Sequence, residues 1–316
     1  MNNRIPVFIL TGFLGSGKTT VLKRMLTHEK GLGKNPALIL NELGSENVEK
    51  ELFEDESMIE MLNGCICCTI QDDMKSELVQ LLNMRQDVDV LLIEGTGIAN
   101  PREIVEALTH PDLIDQVDIQ SVIGLVDASR YLEYQSIFQS SKEIRVMLKQ
   151  QVTSSTLIIM NKMDLLDDKK MKKVIAKVED IKRKDAPIAF STFGDVATEV
   201  LFAKRFQTET INLKENTHHH HHHSHPFQAL KISGFEAVSK GKFKSWLNGQ
   251  EQSLVRAKGY VRFQEDDTLY SFQYASGQLQ LIPLESNSET CMILIGSDLD
   301  QNALTSSFDQ FVRQIH

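Results

Sequence analysis

Short, continuous apolar runs alternate along this chain with longer segments whose apolar residues recur at helical spacing. The runs at 7–10, 37–40, 90–93, 122–126 and 157–160 show no polar alternation, the pattern of strands buried on both faces of a parallel sheet. Between them, 19–27, 72–84, 101–108, 142–152 and 167–181 predict helices, and Pro101 suits a first helical turn. Strands alternating with helices predict a doubly wound, mainly parallel α/β domain whose ligands gather at the carboxyl ends of the strands. The alternation continues through 189–191 and 197–203, then yields at 208 to a polar stretch that leads into a run of histidines. After Pro226 the texture becomes that of strands at 227–232, 259–263, 269–274, 279–283 and 292–295, with a helix near 242–247. A last helix carries Leu299, Leu304, Phe308, Phe311, Val312 and Ile315 on one face, with Ser297 or Asp298 as its cap. The expected organisation is a large α/β domain at 1–207, a polar, histidine-rich linker at 208–225, and a smaller α+β domain at 226–316.

Composition narrows the class of partner. The 316 residues carry a formal charge of −9, and no dense basic stripe with interleaved aromatics marks a nucleic-acid groove. The first strand begins within a few residues of Met1 without a preceding signal-peptide core, and no apolar run approaches the roughly 18 residues of a membrane span. A soluble cytoplasmic protein is expected, with neither nucleic acid nor membrane as partner. Three of the four cysteines crowd into Cys65, Cys67 and Cys68, a spacing suited to metal or redox chemistry in a reducing compartment.

The first strand runs into a glycine-rich loop and a helix start. Gly12, Gly17, Lys18 and Thr19 fit G-x-x-x-x-G-K-[ST], the phosphate-binding loop. In that loop backbone N–H groups wrap phosphates, the lysine reaches the β/γ oxygens and the hydroxyl holds Mg²⁺. Gly15, Ser16 and Thr20 complete the expected cradle. Directly after the run at 157–160, Asn161, Lys162 and Asp164 form N-K-x-D. An aspartate there accepts from two guanine N–H groups, a pairing adenine does not offer, and Lys162 would lay its stem along the base. The same four residues elsewhere would read as a helix cap; at a strand end downstream of a phosphate loop they read as a guanine site. Glu94 ends another strand and is followed by Gly95, Thr96 and Gly97. Its carboxylate suits Mg²⁺ or a water ligand of the ion, and the Gly97 N–H suits the γ-phosphate, so this segment is the expected sensor of hydrolysis. Asp127 also ends a strand, where capping the next helix and serving the site are equally consistent readings.

Cys65, Cys67 and Cys68 follow Asn63 and Gly64 and offer two or three thiolates to one soft or borderline ion such as Zn²⁺, Cu⁺ or tetrahedral Co²⁺. The spacing alone also fits buried cysteines acting as small hydrophobes. Glu42 and His110 are candidate completing ligands. His218, His219, His220, His221, His222 and His223, with His225, lie between the two expected domains rather than at a terminus. They read as a native metal-gathering tract rather than an affinity tag, able to collect Zn²⁺, Co²⁺, Ni²⁺ or Cu²⁺ with little selectivity.

Together these motifs resemble the CobW-type GTPases, P-loop proteins regarded as metallochaperones. The likeness covers nearly the whole chain and includes the segments 11–20, 41–44, 63–68, 93–97, 161–164, 256–260 and 293–296. It implies a slow GTPase with GTP and Mg²⁺ as cofactors, Lys18 and Thr19 on phosphates and Mg²⁺, and Glu94 in the second switch. It further implies a C-x-C-C metal site of Cys65, Cys67 and Cys68 with Glu42 as co-ligand, and Zn²⁺, or else Co²⁺ or Ni²⁺, as cargo. Gly95 departs from the family, where many relatives carry Ser, Thr or Cys. The expected partners are GTP or GDP and a client metalloprotein, with a homodimer as an open assembly. Two rival functions are a P-loop kinase acting on a small molecule and a passive metal store.

Overall fold

In the computed structural model, which describes residues 4–41, 58–61, 75, 78–80, 82, 87–97, 100–213, 227–250, 253–285, 288–297 and 299–313, the apolar runs become the strands of one parallel sheet. The chain divides into two units, Met1–Leu108 with Gln116–Arg205, and Thr109–Asp115 with Phe206–His316.

The first unit holds β1 (Ile5–Gly12), β2 (Pro36–Asn41), β3 (Met58–Met61), β4 (Val90–Glu94), β5 (Val117–Asp127), β6 (Leu157–Asn161) and β7 (Ile188–Phe190). Their order is β3-β2-β4-β1-β5-β6-β7, and every neighbouring pair is parallel. Its helices are α1 (Lys18–Gly31), α2 (Pro101–Leu108), α3 (Tyr131–Tyr134), α4 (Lys142–Ser154), α5 (Asp168–Ile181) and α6 (Thr198–Leu201). Of the helix expected at 72–84, residues 75, 78–80 and 82 are described and helical.

The apolar runs are continuous because both faces of the sheet are covered. Leu157 and Ile159 pack on one side with Val21, Leu22 and Met25 of α1, whereas Ile158 and Met160 pack on the other with Val152 of α4 and Val174 and Val178 of α5. Ser141 caps α4 by accepting from Ile144 N, and Asp167 caps α5 by accepting from Lys170 N. Strand β1 lies between β4 and β5, so the chain leaves it through α1 toward β2 on one side while β5 to β7 extend the other. The carboxyl end of β1 is therefore a topological switch point, where open α/β sheets bind ligands.

Two strands exceed the expectation. β5 starts at Val117 rather than 122, because Asp118 and Gln120 interrupt its apolar run while Lys204 and Gln120 both donate to the Asp118 carboxylate. β3, a four-residue strand, carries the alternating sequence Met-Ile-Glu-Met and pairs with β2.

The second unit holds β8 (Gln207–Asn212), β9 (Phe227–Ser233), α7 (Lys240–Asn248), β10 (Leu254–Arg262), β11 (Leu269–Ala275), β12 (Gln278–Pro283), β13 (Cys291–Ser297) and α8 (Gln301–Arg313). The sheet order is β12-β11-β10-β13-β9-β8, antiparallel except for the parallel β8–β9 pair. Its core gathers Leu230, Ile232, Phe243, Val261, Phe272, Leu294 and Phe308.

Two expectations are corrected here. Residues 208–212, expected to open the linker, instead belong to β8. An edge strand tolerates polar Thr208, Glu209 and Thr210, and only Ile211 packs against the core. The last helix is capped by Asp300, whose Oδ1 accepts from Ala303 N at 2.9 Å, the spacing an N-cap requires, while Asp298 lies outside the described residues. Among the described residues, no helix is long and apolar enough to cross a membrane.

Candidate functional site

The site assembles where β1, β4, β5 and β6 end side by side. Parallel register sets Leu10 opposite Glu94, and Gly95 N donates to Leu10 O at 2.9 Å, so the Glu94 carboxylate sits beside the loop that leaves β1. Register likewise sets Asp127 opposite Asn161, and Ala128 N donates to Asn161 O at 3.0 Å. Four strand ends thus deliver the phosphate loop, the Glu94 segment, Asp127 and N-K-x-D to one edge of the sheet.

Within the loop, Ser16 N donates to Phe13 O at 3.1 Å, and α1 begins at Lys18 with Gly17 as its N-cap. Gly17 has φ 101°, and a Cβ there would lie 2.4 Å from Asn161 Nδ2. The left-handed backbone and the approach of Asn161 both require glycine. Lys18 is buried with its Nζ 3.9 Å from Glu94 Oε1, and Thr19 Oγ1 donates to the same oxygen at 3.5 Å. Gly97 meets the loop from the other side: a Cβ on it would lie 2.8 Å from Leu14 N.

Asn161 is the structural centre of the site. It is 2% exposed; its Nδ2 donates to Ser16 O at 3.0 Å and its Oδ1 accepts from Gly194 N at 3.0 Å. One amide therefore ties the phosphate loop to β6 and to the loop after β7. Met163 N donates to Ser191 O, which closes the same loop against N-K-x-D. Lys162 follows in a left-handed conformation, φ 61°, and its Nζ donates to Asp127 Oδ2 at 2.6 Å. Asp127, 6% exposed, also accepts from Ser129 N at 3.1 Å, so it shapes the turn before α3 and fixes Lys162, but it does not cap that helix, whose N-cap is Arg130. Asp164 stands exposed in the short 3₁₀ turn Met163–Leu165.

Sequence reading missed the loop at 191–194 and Gln151. Phe193 in that loop has φ 53° although it is not glycine. That strained backbone beside N-K-x-D is visible only in three dimensions.

The residues present fit a phosphate and its cation. Glycine backbone, the α1 N-terminus, the Lys18 ammonium and the Thr19 hydroxyl converge beside the Glu94 carboxylate, and the buried Ser16 Oγ has no hydrogen-bond partner among the described residues. That donor set is the chemistry of a nucleotide phosphate with Mg²⁺.

The expected cargo site is not described at the same level. Glu42, Cys65, Cys67, Cys68, His218 to His223 and His225 lie outside the described residues. His110 belongs to the second unit, where its Nδ1 accepts from Asp112 N at 3.3 Å and its ring stands edge-on to Tyr260. Among the described residues no group of three or more His, Cys, Asp or Glu is placed to hold a metal. Cys291, the fourth cysteine, is buried in β13; burial pushes its thiol pKa up, and the neighbouring Lys231 only partly offsets this.

Known proteins bear on this arrangement. The family described as CobW/HypB/UreG, nucleotide-binding domain, matches residues 6–189, and the Cobalamin synthesis protein cobW C-terminal domain matches residues 227–312. The chain is 29% identical over 290 residues to the zinc chaperone CobW of Sinorhizobium sp, covering 82% of this chain and 81% of that protein. It is 26% identical to zinc-regulated GTPase metalloprotein activator 1 of Schizosaccharomyces pombe, covering 93% of this chain and 83% of that one. The crystal structure of Zn(II)-bound YjiA GTPase from E. coli aligns with a TM-score of 0.48 at 21% identity, over 98% of this chain and 99% of that chain.

Proposed function

Because the chain belongs to the CobW/HypB/UreG family of nucleotide-binding proteins and is a GTPase of the CobW type, we propose that it uses GTP binding and hydrolysis to control delivery of a transition metal, zinc first, to a client protein. The relatives named zinc chaperone and zinc-regulated GTPase metalloprotein activator support the cargo. The observation that carries the nucleotide half is the Asn161 amide, which joins the phosphate loop to N-K-x-D through Ser16 O and Gly194 N. That linkage couples the group reading the base to the groups holding the phosphates.

In this reading each side chain has a distinct role. Lys18 and the N–H groups of Gly15 to Thr19 hold the β- and γ-phosphates. Thr19 and Glu94 would hold Mg²⁺, which, when bound, neutralises charge developing on the phosphate oxygens. Gly97 N–H faces the γ-phosphate. Asp164 accepts from guanine, and Lys162, held by Asp127, covers the base. The Cys65, Cys67 and Cys68 thiolates, with Glu42, hold the cargo ion. They lie in sequence between Glu42 and Glu94, the two segments expected to respond to the γ-phosphate. The histidine tract gathers metal on the way in, and the second unit recognises the client.

Nucleotide competition tests the base assignment against the kinase alternative. GTP should remain bound when ATP is added at equal concentration, with a preference of at least about a hundredfold, because a site built to pair with guanine leaves buried groups unpaired on adenine. Displacement of GTP by equimolar ATP would favour the kinase.

A further inference from the structure

Gln151 lies outside every sequence motif, yet it is one of the few polar side chains in the interior of the first unit, 3% exposed on α4. Its Nε2 donates to Gly97 O at 3.1 Å, across 54 residues of sequence. A carbonyl only accepts, so this contact fixes the amide orientation and turns Oε1 toward the interior, where it has no hydrogen-bond partner among the described residues. A buried acceptor left in that state costs about 1–3 kcal/mol, which a purely structural position would shed by carrying leucine or methionine. The side chain also borders a small void of about 10 Å³ lined by Leu148, Val152 and Ile158.

The contact has a second anchor one helical turn away. Arg102 Nε, at the start of α2, donates to Ser154 Oγ at the end of α4 at 3.0 Å. Helix α4 therefore grips the segment after β4 at Gly97 and again at Arg102. The backbone of α4 is itself fixed to the sheet at this point, because Ser155 Oγ donates to Gln151 O at 2.6 Å and packs where Gly124 of β5 lacks a side chain. A side chain on Gly97 would collide with Leu14 of the phosphate loop, so the position takes glycine.

We infer that Gln151 is a positioning residue for nucleotide-state sensing: its amide holds the Gly97 carbonyl and so, through the Gly97 α-carbon, restrains the preceding peptide whose N–H is offered to the γ-phosphate, with α4 as the element that reports the change. The inference rests on the GTPase reading above. Gln151 touches neither substrate nor ion; it acts through Gly97. When the γ-phosphate is present, Gly97 N–H has a partner on one side and the Gln151 amide on the other. After its loss the Gly97 N–H has no such partner, and the contact between its carbonyl and the Gln151 amide loosens.

The test compares wild type with Gln151→Met, which keeps the volume and removes both amide atoms. The expected result is a roughly tenfold lower kcat for GTP with KM within about twofold, and a GTP-to-GDP affinity ratio that falls by about fivefold while GDP affinity is unchanged. A buried amide with a structural role alone would move thermal stability and leave that ratio fixed, and this result overturns the inference. Should the variant fold poorly, hydrogen exchange on wild-type protein provides the second readout. Protection of 148–154 should differ between GDP and a non-hydrolysable GTP analogue together with that of 95–102, and identical protection of 148–154 in both states overturns the inference. Failure of the GTPase reading itself would appear earlier, as a wild-type protein that does not prefer guanine over adenine nucleotide.

Discussion

Replacing Lys18 with alanine should lower GTP turnover by about 10²–10³-fold, the loss typical when one preorganised charge facing the transition state is removed. The geometry supports an effect on rate rather than on fold. Lys18 heads α1 in a cradle whose backbone is set by Gly17 and by Asn161, neither of which depends on the ammonium. With the cation gone, charge developing on the γ-phosphate loses its nearest fixed counter-charge from protein, while the Glu94 carboxylate 3.9 Å away remains. The measurement is single-turnover GTP hydrolysis, alongside zinc binding by the same variant. A protein that switches loses turnover and keeps its metal. A passive store, in which the phosphate loop only maintains structure, would show full function after the substitution, and that outcome would remove the GTPase from the account of delivery.

Asn161→Ala should be the most damaging substitution in the base-reading motif, and its effect should fall on both stability and binding. The alanine leaves Ser16 O and Gly194 N without their partner in the interior and opens space beside Gly17. Two stranded backbone groups at about 1–3 kcal/mol each, partly relieved by water, suggest a loss of about 2–4 kcal/mol in urea denaturation. GDP affinity should drop by about tenfold or more, because the phosphate loop and the 191–194 loop are no longer held in one frame. Asp164→Ala is the internal comparison: Asp164 is exposed, so its loss should abolish preference for guanine while stability stays within about 0.5 kcal/mol. If Asn161→Ala were as benign to stability as Asp164→Ala, the staple would not be what organises the site.

The legible part of this chain was whatever local spacing fixes. Glycines, lysine and threonine of the phosphate loop stand in one stretch, and the doubly covered strands announce themselves as unbroken apolar runs, so β1, β2, β4, β6 and the helices between them were readable. N-K-x-D was readable as a motif at a strand end, but the task Asn161 performs in the fold, joining two loops to each other, depends on partners 145 and 33 residues away. Asp127 was balanced between two roles because a strand-end aspartate fits either; in the fold it holds the turn at Ser129 and fixes Lys162, while the N-cap of α3 is Arg130. Strand β8 was hidden by its position at a sheet edge, where polar residues carry no penalty, and the first half of β5 by Asp118 and Gln120. Gln151 left no local trace because glutamine in an amphipathic helix ordinarily faces water. Only its burial against Gly97 distinguishes it.

The central claim, that nucleotide state sets metal affinity, is tested most directly by zinc titration of protein lacking residues 218–225, so that the histidine tract does not mask the thiolate site. Zn²⁺ affinity is measured with saturating GDP and with a saturating non-hydrolysable GTP analogue, and nucleotide affinities are measured with and without Zn²⁺. The account predicts Zn²⁺ affinities that differ by about tenfold or more, equivalent to about 1.4 kcal/mol, and a shift of nucleotide preference by the same factor, as linkage demands. Equal Zn²⁺ affinities in the two nucleotide states would contradict it.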